Sequence, residues 1–370
     1  MTAVGHGRLI GVGFRRWKRA NLAPILRSQA GALAFVRDVA ALRRLAPTAA
    51  DTLFWWSAAP PEGVAEFARD RGLPTLRLED GFFRSVGLGS DLIPPASLVL
   101  DRTGLYFDPR TPSDLETLLL TADFGAEECA RAQAVRAFIV EHGLTKYNLE
   151  PRRPARWAPQ GRRVILVPGQ VEDDASIRFG CTDVRTNAGL LQTARAEAPD
   201  AFIVYKPHPD VLSGNRRGRM ALAEAGRWAD HIETDLSVIS AIEAADEVHV
   251  MTSQAGFDAL LRGKKVVTHG QPFYAGWGLT DDRAQGGEAL KRRSRRLTLD
   301  QLVAGALLRY PLYWDAAQAR PTSCEAVLHA LQHQRDALES RGQLDALRSG
   351  FWRRQGRKLR TLVSSALRAN

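Results

Sequence analysis

The chain has 370 residues, 45 % of them hydrophobic, with three cysteines and a formal net charge of +10. That length allows two domains on a prior of roughly 100–200 residues each, and no run approaches the ~20 consecutive apolar residues of a membrane span. The widely spaced cysteines (Cys129, Cys181, Cys324) fit a reduced cytoplasm and show neither a disulfide framework nor a zinc site. The basic balance points to an anionic partner: nucleic acid, acidic lipid or a phosphorylated substrate.

Near the start, Arg8 and the cluster Arg15, Arg16, Lys18 and Arg19 interrupt any apolar segment of a signal peptide. Short β-branched or aromatic runs then alternate with helical patterns, as parallel α/β units require. The candidate strands are Leu9–Val12, Thr52–Trp56, Thr75–Leu78 and Ser97–Leu100, and Glu62–Arg71 reads as a helix stopped by Gly72 and Pro74. Thr75–Leu78 runs into Glu79-Asp80-Gly81 and then Phe82-Phe83-Arg84. One of these carboxylates is suited to act as general base on an acceptor hydroxyl, while the other orients the loop or pairs with Arg84. An Asp-Gly turn with a salt bridge is the purely structural alternative. Asp101–Gly104, between Val99–Leu100 and Leu105–Phe107, reads as a tight hairpin. A helix is predicted over 126–142 with Ala130, Ala134, Phe138 and Ile139 on its buried face and Gly143 as its stop. The proline-rich, aperiodic segment 151–161 reads as a linker between domains at 1–155 and 156–320.

Beyond the linker the alternation restarts with strands Val164–Val167, Phe202–Tyr205, Glu247–Val250 and Lys265–Thr268, and helices near Asn187–Ala196, Met220–Ala229, Val238–Ala245 and Gly256–Arg262. The first strand ends in Pro168-Gly169-Gln170 and delivers Glu172, Asp173 and Asp174 onto a loop. In open α/β sheets ligands bind outside the carboxyl ends of strands; a solvated turn with a helix cap is the plain alternative. Lys206-Pro207-His208-Pro209 sets an ammonium and an imidazole at another strand end, on backbone stiffened by two prolines. That pair suits a phosphate, through charge-assisted hydrogen bonds, unless Asp210 satisfies His208. Ser253 reads as the cap of a helix opened by Gln254 and Gly256, which is also a ready anion site. After Lys265–Thr268, Phe273, Tyr274 and Trp277 alternate with glycines, as walls for stacking on a sugar or base or as a packed loop. Thr322-Ser323-Cys324-Glu325 fits a capping box opening a helical region at 321–370. The tail from Arg341 is basic and amphipathic, as a segment lying on an acidic membrane surface would be.

Five motifs in order carry a resemblance: Gly11–Lys18, Leu78–Ser85, Pro168–Ile177, Lys206–Asp210 and Pro272–Asp282. Together they resemble the capsular-polysaccharide β-Kdo transferases of Gram-negative bacteria, which use CMP-Kdo to build an oligo-Kdo linker on a phosphatidylglycerol-type lipid. The resemblance spans about residues 8–315. It implies a GT-B glycosyltransferase, an α/β fold of two Rossmann-like domains facing across a cleft, with the acceptor on the first and the CMP-sugar on the second. It implies retaining transfer from CMP-β-Kdo to a lipid-linked Kdo acceptor, and hence a carboxylate nucleophile: Asp174, with Asp173 second. Glu79 or Asp80 would be the base. Gln170, Lys206, His208, Ser253, Gln254 and Gly256 would hold the donor, and Arg84, Phe273, Tyr274 and Trp277 would form the acceptor side or cleft wall. No metal or other cofactor is expected, because departing CMP carries a single phosphate. The expected location is cytoplasmic, peripheral on the inner membrane. No nucleic-acid motif is present, so no nucleic-acid partner is expected. Long family members carry two modules in tandem; this chain has one copy of each motif and should make one linkage type. The alternatives are a bacterial CMP-sialic acid transferase, to which the Glu-Asp-Gly and His-Pro pair is also similar, and a non-catalytic anion-binding protein.

Overall fold

The computed structural model describes residues 7–150, 152–157, 161–212, 222–284 and 286–344. The basic amphipathic tail beyond 344 and part of the 151–161 linker lie outside the described residues. The chain divides into two compact units, one formed by residues 1–105, 144–149 and 305–370, the other by 106–143 and 150–304.

The first unit opens with β1 (Arg8–Val12), β2 (Ala32–Val36), β3 (Thr52–Trp56), β4 (Thr75–Asp80) and β5 (Ser97–Asp101). β1 to β4 pair in parallel, and β5 returns antiparallel to β4. Alternate residues feed two cores: Leu9, Phe54, Leu76, Leu78 and Leu98 on one face, Ile10, Val12, Leu53 and Trp55 on the other. A sheet covered on both faces needs such near-continuous apolar strands. β2 escaped sequence reasoning because its Ala-Leu-Ala-Phe-Val run is only half-buried at the edge.

Asp101 does not begin a hairpin. Its Oδ1 accepts from the Thr103 and Gly104 amides at 3.0 and 2.8 Å, and its Oδ2 from Tyr310 Oη at 2.7 Å. A side chain that caps its own turn diverts the backbone, so Leu105–Phe107 leaves the sheet and forms no strand.

The second unit contains β6 (Val164–Pro168), β7 (Phe202–Lys206), β8 (His231–Ile232), β9 (Glu247–Val250), β10 (Lys265–Thr268) and β11 (Asp281–Asp282), in the order β11-β10-β9-β6-β7-β8. Every pairing is parallel. The chain winds outward from β6 through β8, then crosses back to β9 and winds the other way. The loops after the neighbours β6 and β9 therefore diverge, and they enclose the topological switch point where such sheets bind ligands. Finally β12 (Leu312–Asp315) and β13 (Arg320–Thr322) return to the first sheet, giving β13-β12-β5-β4-β3-β1-β2.

The helix Ala126–His142 has its expected bounds but a different buried face: Ala132, Val135 and Ile139 are buried, whereas Ala130 and Ala134 are exposed. It packs on the helix Leu299–Val303, with Arg136 Nε 3.2 Å from Asp300 Oδ1. That packing places it in the second unit, so the boundary expected at 155 does not divide the chain, and residues from Gly305 join the first unit rather than ending the second at 320. The cap of the helix Cys324–Ser340 is Ser323, one residue later than the expected box; a reciprocal capping box forms instead at Thr298 and Gln301. No described helix is long and apolar enough to cross a membrane.

Gly11 in β1 lies where the rings of Phe35 and Phe54 converge with Phe14, at centroid separations of 5.2–5.7 Å. A Cβ at Gly11 would stand 2.5 Å from Phe54 and 2.6 Å from Phe35. Overpacking of this kind costs about 1–3 kcal/mol. Gly11→Ala is therefore expected to lower stability by that amount in urea unfolding, and Phe35→Leu in the same chain to recover part of it. Equal stability of Gly11→Ala and wild type would contradict this packing.

Candidate active site

In the second unit, the Pro-Gly and Lys-Pro-His motifs meet. The Gly169 amide donates to the Lys206 carbonyl at 2.7 Å. A Cβ on Gly169 would lie 3.1 Å from the His208 amide nitrogen and 3.0 Å from Tyr205 Oη. A side chain at 169 would press on the β7 end by a few tenths of an ångström.

Gln170 then crosses the switch point. Its Nε2 donates to Thr252 Oγ1 at 2.8 Å and to Ser176 Oγ at 3.0 Å, and its Oε1 accepts from the Thr252 amide at 3.3 Å. Its backbone is clamped by Asn187, whose Oδ1 accepts from Gln170 N and whose Nδ2 donates to Gln170 O. The amide assigned to the donor is thus buried and spent inside the protein. Ser176 Oγ passes the chain on to Asp174 Oδ1 at 2.8 Å, which also accepts from Ser176 N at 2.9 Å. Asp174 is accordingly the cap of the helix Ala175–Gly180, and its Oδ2 is the oxygen turned away from that cap. Asp173 is exposed. Glu172 Oε1 accepts from the Asn187 amide at 2.7 Å, which leaves the acidic run divided among separate tasks rather than gathered on one point.

Lys206 is buried, and its Nζ donates to the Leu236 carbonyl, ahead of the helix Val238–Ala244. His208 is half-buried, with its carbonyl accepting from the Val211 and Leu212 amides. Ser253 caps the helix Gln254–Leu261 through the Ala255 amide. Gly256 has a packing role: a Cβ there would stand 2.2 Å from Tyr274 Oη, which donates to the Ser253 carbonyl at 2.5 Å. The aromatic loop corrects its expected part as a wall. Phe273, Tyr274 and Trp277 are 6 %, 0 % and 0 % exposed, and Trp277 Nε1 donates to the Phe273 carbonyl. Their glycines turn the backbone at positive φ so that the rings point into the core.

The first unit gathers a second cluster at the end of β4. Asp80 Oδ2 lies 2.8 Å from Arg84 Nε, and Arg84 also donates to Ser85 Oγ and the Ile93 carbonyl. Arg84 is 4 % exposed, with Gly89 packed against its guanidinium. It holds the loop. Glu79 Oε1 accepts from the Asp80 amide at 3.0 Å. Burial, and next the charge of Asp80, push the Glu79 carboxyl up to about 7, against the pull of Lys146 and Lys18. Lys18 Nζ sits 3.1 Å from the centre of the Trp56 ring, and burial lowers it to about 8, opposed by Glu79 and Asp80. Sequence reasoning had Lys18 only inside a motif, and Lys146, Thr252 and Ser176 were not assigned to the site at all. A hydroxyl pair at Thr252-Ser253 was the available signal; nothing in the sequence marked Lys146.

Gly256→Ala is expected to destabilise by about 1–3 kcal/mol, and Tyr274→Phe in the same chain to cost less than the sum of the two single changes. Strict additivity in a double-mutant cycle would contradict the Gly256–Tyr274 contact.

Residues 51–313 match the family model described as capsule polysaccharide biosynthesis protein. The chain is 42 % identical over 340 residues to the capsule polysaccharide modification protein LipA of Neisseria meningitidis serogroup B, across 92 % of this chain and 47 % of LipA. It is 40 % identical over 293 residues to the lipopolysaccharide-processing protein LpsZ of Rhizobium meliloti, across 78 % of this chain and 64 % of LpsZ. The chain thus spans about half the length of LipA. Among solved structures it is similar to the β-Kdo 2,4 transferase of Thermosulfurimonas dismutans KpsC, with a TM-score of 0.76 and 32 % identity over 88 % of this chain and 98 % of that one. The β-Kdo 2,7 transferase of the same KpsC gives a TM-score of 0.70 and 34 % identity over 88 % and 99 %. By family model and solved relatives alike, the chain belongs to the capsule polysaccharide biosynthesis protein family.

Proposed function

We propose that the chain is a retaining glycosyltransferase that moves Kdo from CMP-β-Kdo to a lipid-linked Kdo acceptor, as one step in building a capsule linker. The observation that carries this reading is the TM-score of 0.76 to a β-Kdo transferase that the chain matches over 98 % of its length. In this proposal the units take the GT-B arrangement, the second holding CMP-Kdo and the first the acceptor. The enzyme works on the cytoplasmic face of the inner membrane, with the basic tail on anionic lipid.

Asp174 Oδ2 attacks the anomeric carbon of Kdo, and the bond from that carbon to the phosphate oxygen breaks with its electron pair leaving on CMP. The acceptor hydroxyl gives its proton to Glu79 and attacks the same carbon, and the ester to Asp174 breaks. Two inversions leave the β configuration. The Ser176 hydrogen bonds on Oδ1 fix the carboxylate's orientation. In this reading His208 and the capped helix N-terminus at Ser253 and Gln254 bind the CMP phosphate. Departing CMP has one phosphate, and in this proposal its charge is met by protein groups alone.

Glu79 supplies the base because its environment differs from its neighbour's. Asp80 is paired with Arg84, whereas Glu79 is raised to about 7, where a carboxylate is both ionisable and basic enough to take a hydroxyl proton. Incubation with CMP-Kdo and a synthetic Kdo-lipid, alongside CMP-sialate, should give a β-linked Kdo product by NMR. Turnover of CMP-sialate alone, or an α-linked product, would overturn the reading.

Glu79→Gln is expected to lower kcat/KM by about 10²–10⁴. In the wild type, kcat/KM should rise with pH through about 7 as Glu79 ionises. Lys18→Met should move that limb to higher pH, because the Lys18 charge holds the Glu79 carboxyl down. A limb unmoved by Lys18→Met would detach Lys18 from the base.

Stability should run the other way. Glu79 is raised in the folded state from an ordinary 4.5 to about 7, so its favourable contribution is complete below 4.5 and lost as pH rises through 7. Glu79→Gln should therefore gain in Tm relative to wild type at pH 8 and not at pH 4. The opposite ordering would mean that the carboxylate is stabilised where it sits.

A further inference from the structure

We infer that His249, His269 and Glu197 of the second unit form a binding site for a divalent transition-metal ion of the zinc class, separate from the transfer chemistry. His249 lies on β9 and His269 directly follows β10; both are buried, at 1 % and 4 % exposure. His249 Nδ1 stands 3.1 Å from His269 Nε2. Two ligands each ~2.0–2.1 Å from one tetrahedral ion stand close to that far apart.

The second nitrogen of His249 is held by a carboxylate. Glu247 Oε1 lies 2.8 Å from His249 Nε2, and Glu247 Oε2 lies 3.2 Å from Lys265 Nζ. A carboxylate there accepts from Nε2, and Nδ1 is the nitrogen that faces His269. A carboxylate oriented behind a histidine in this way is the usual outer partner of a metal-bound imidazole.

Glu197 completes the set. Its carboxylate and the two imidazole nitrogens all lie within 4.8 Å of one another. It is exposed and is the last residue of the helix Asn187–Glu197. The helix dipole disfavours a carboxylate at that end, and a bound cation reverses the sign of that interaction. Exposure on this side also gives the ion a route in and leaves a fourth position for water. The competing arrangement is a histidine pair sharing one proton, complete in itself; in that arrangement Glu197 has no part. An ion here would tie the end of one helix to β9 and β10 at the roots of the Met251–Ser253 and Gly270–Gln271 loops.

The test uses tag-free full chain, stripped with a chelator and titrated with zinc against a chromophoric competitor, with thermal unfolding followed in parallel. One ion per chain with a raised Tm is expected. His269→Gln should abolish stoichiometric uptake, and Glu247→Gln should weaken it about 10–100-fold. Because the histidine change acts in the core, the deciding variant is Glu197→Gln on the surface, expected to bind about tenfold more weakly with unaltered Tm in the absence of metal. Failure of the folded wild type to take up one equivalent, or zinc binding by Glu197→Gln or His269→Gln as tight as wild type, would overturn the site.

Discussion

The candidate site of the second unit depends on one side-chain amide. The Gln170 side chain reaches from the end of β6 to the end of β9 by hydrogen bonds, and those two strands flank the point where the sheet reverses its winding. Its neighbours are fitted to it. Gly169 lets β7 run close on one side, Asn187 clamps the backbone, and Thr252 and Ser176 take the amide protons. Gly270 leaves room on the far side, where a Cβ would stand 2.8 Å from both the Met251 carbonyl and Thr252 Cγ2. A buried amide that satisfies both its donors and its acceptor makes a rigid joint, because any displacement leaves a buried polar atom unpaired. Asp174 is oriented at the end of this chain of bonds, through Ser176.

The two units handle charge in opposite ways. Around Gln170 the network is made of amides and hydroxyls, and carboxylates enter only at its margins through Asp174 and Glu172. At the end of β4 the first unit instead sets adjacent carboxylates in different surroundings: Asp80 against a buried guanidinium, Glu79 in a desolvated place with two lysines exerting a weaker pull. Acid–base roles separate wherever neighbouring groups are pushed apart in this fashion. Lys18 belongs to the same group, since its own lowering and its contact with Trp56 follow from the burial that raises Glu79.

The strands were largely legible in the sequence, because parallel strands covered on both faces must be apolar runs; Thr52–Trp56, Glu247–Val250 and Lys265–Thr268 were readable to the residue. Short or edge strands such as His231–Ile232 and Asp281–Asp282 carry no such signature. The strand ends holding polar motifs were legible too, and the pairing with Arg84 that was open between Glu79 and Asp80 falls to Asp80. What the sequence hid is direction. Phe273, Tyr274 and Trp277 read equally well as a wall or as packing, and only the positive-φ glycines among them decide that they turn inward. Likewise the helix cap that the acidic run allowed falls to Asp174, because a helix start is fixed by backbone angles that three consecutive acidic residues do not specify. The buried histidine pair gave no spacing signal, since its members are brought together only by neighbouring strands.

The central claim is that a carboxylate at the switch point carries Kdo between the two halves of the transfer. The direct measurement is intact-protein mass spectrometry after mixing the chain with CMP-Kdo in the absence of acceptor, followed by peptide mapping. The account predicts a Kdo adduct mapped to Asp174, absent from Asp174→Asn. An adduct on another residue, or full transfer activity in Asp174→Asn with deamidation excluded, would contradict it.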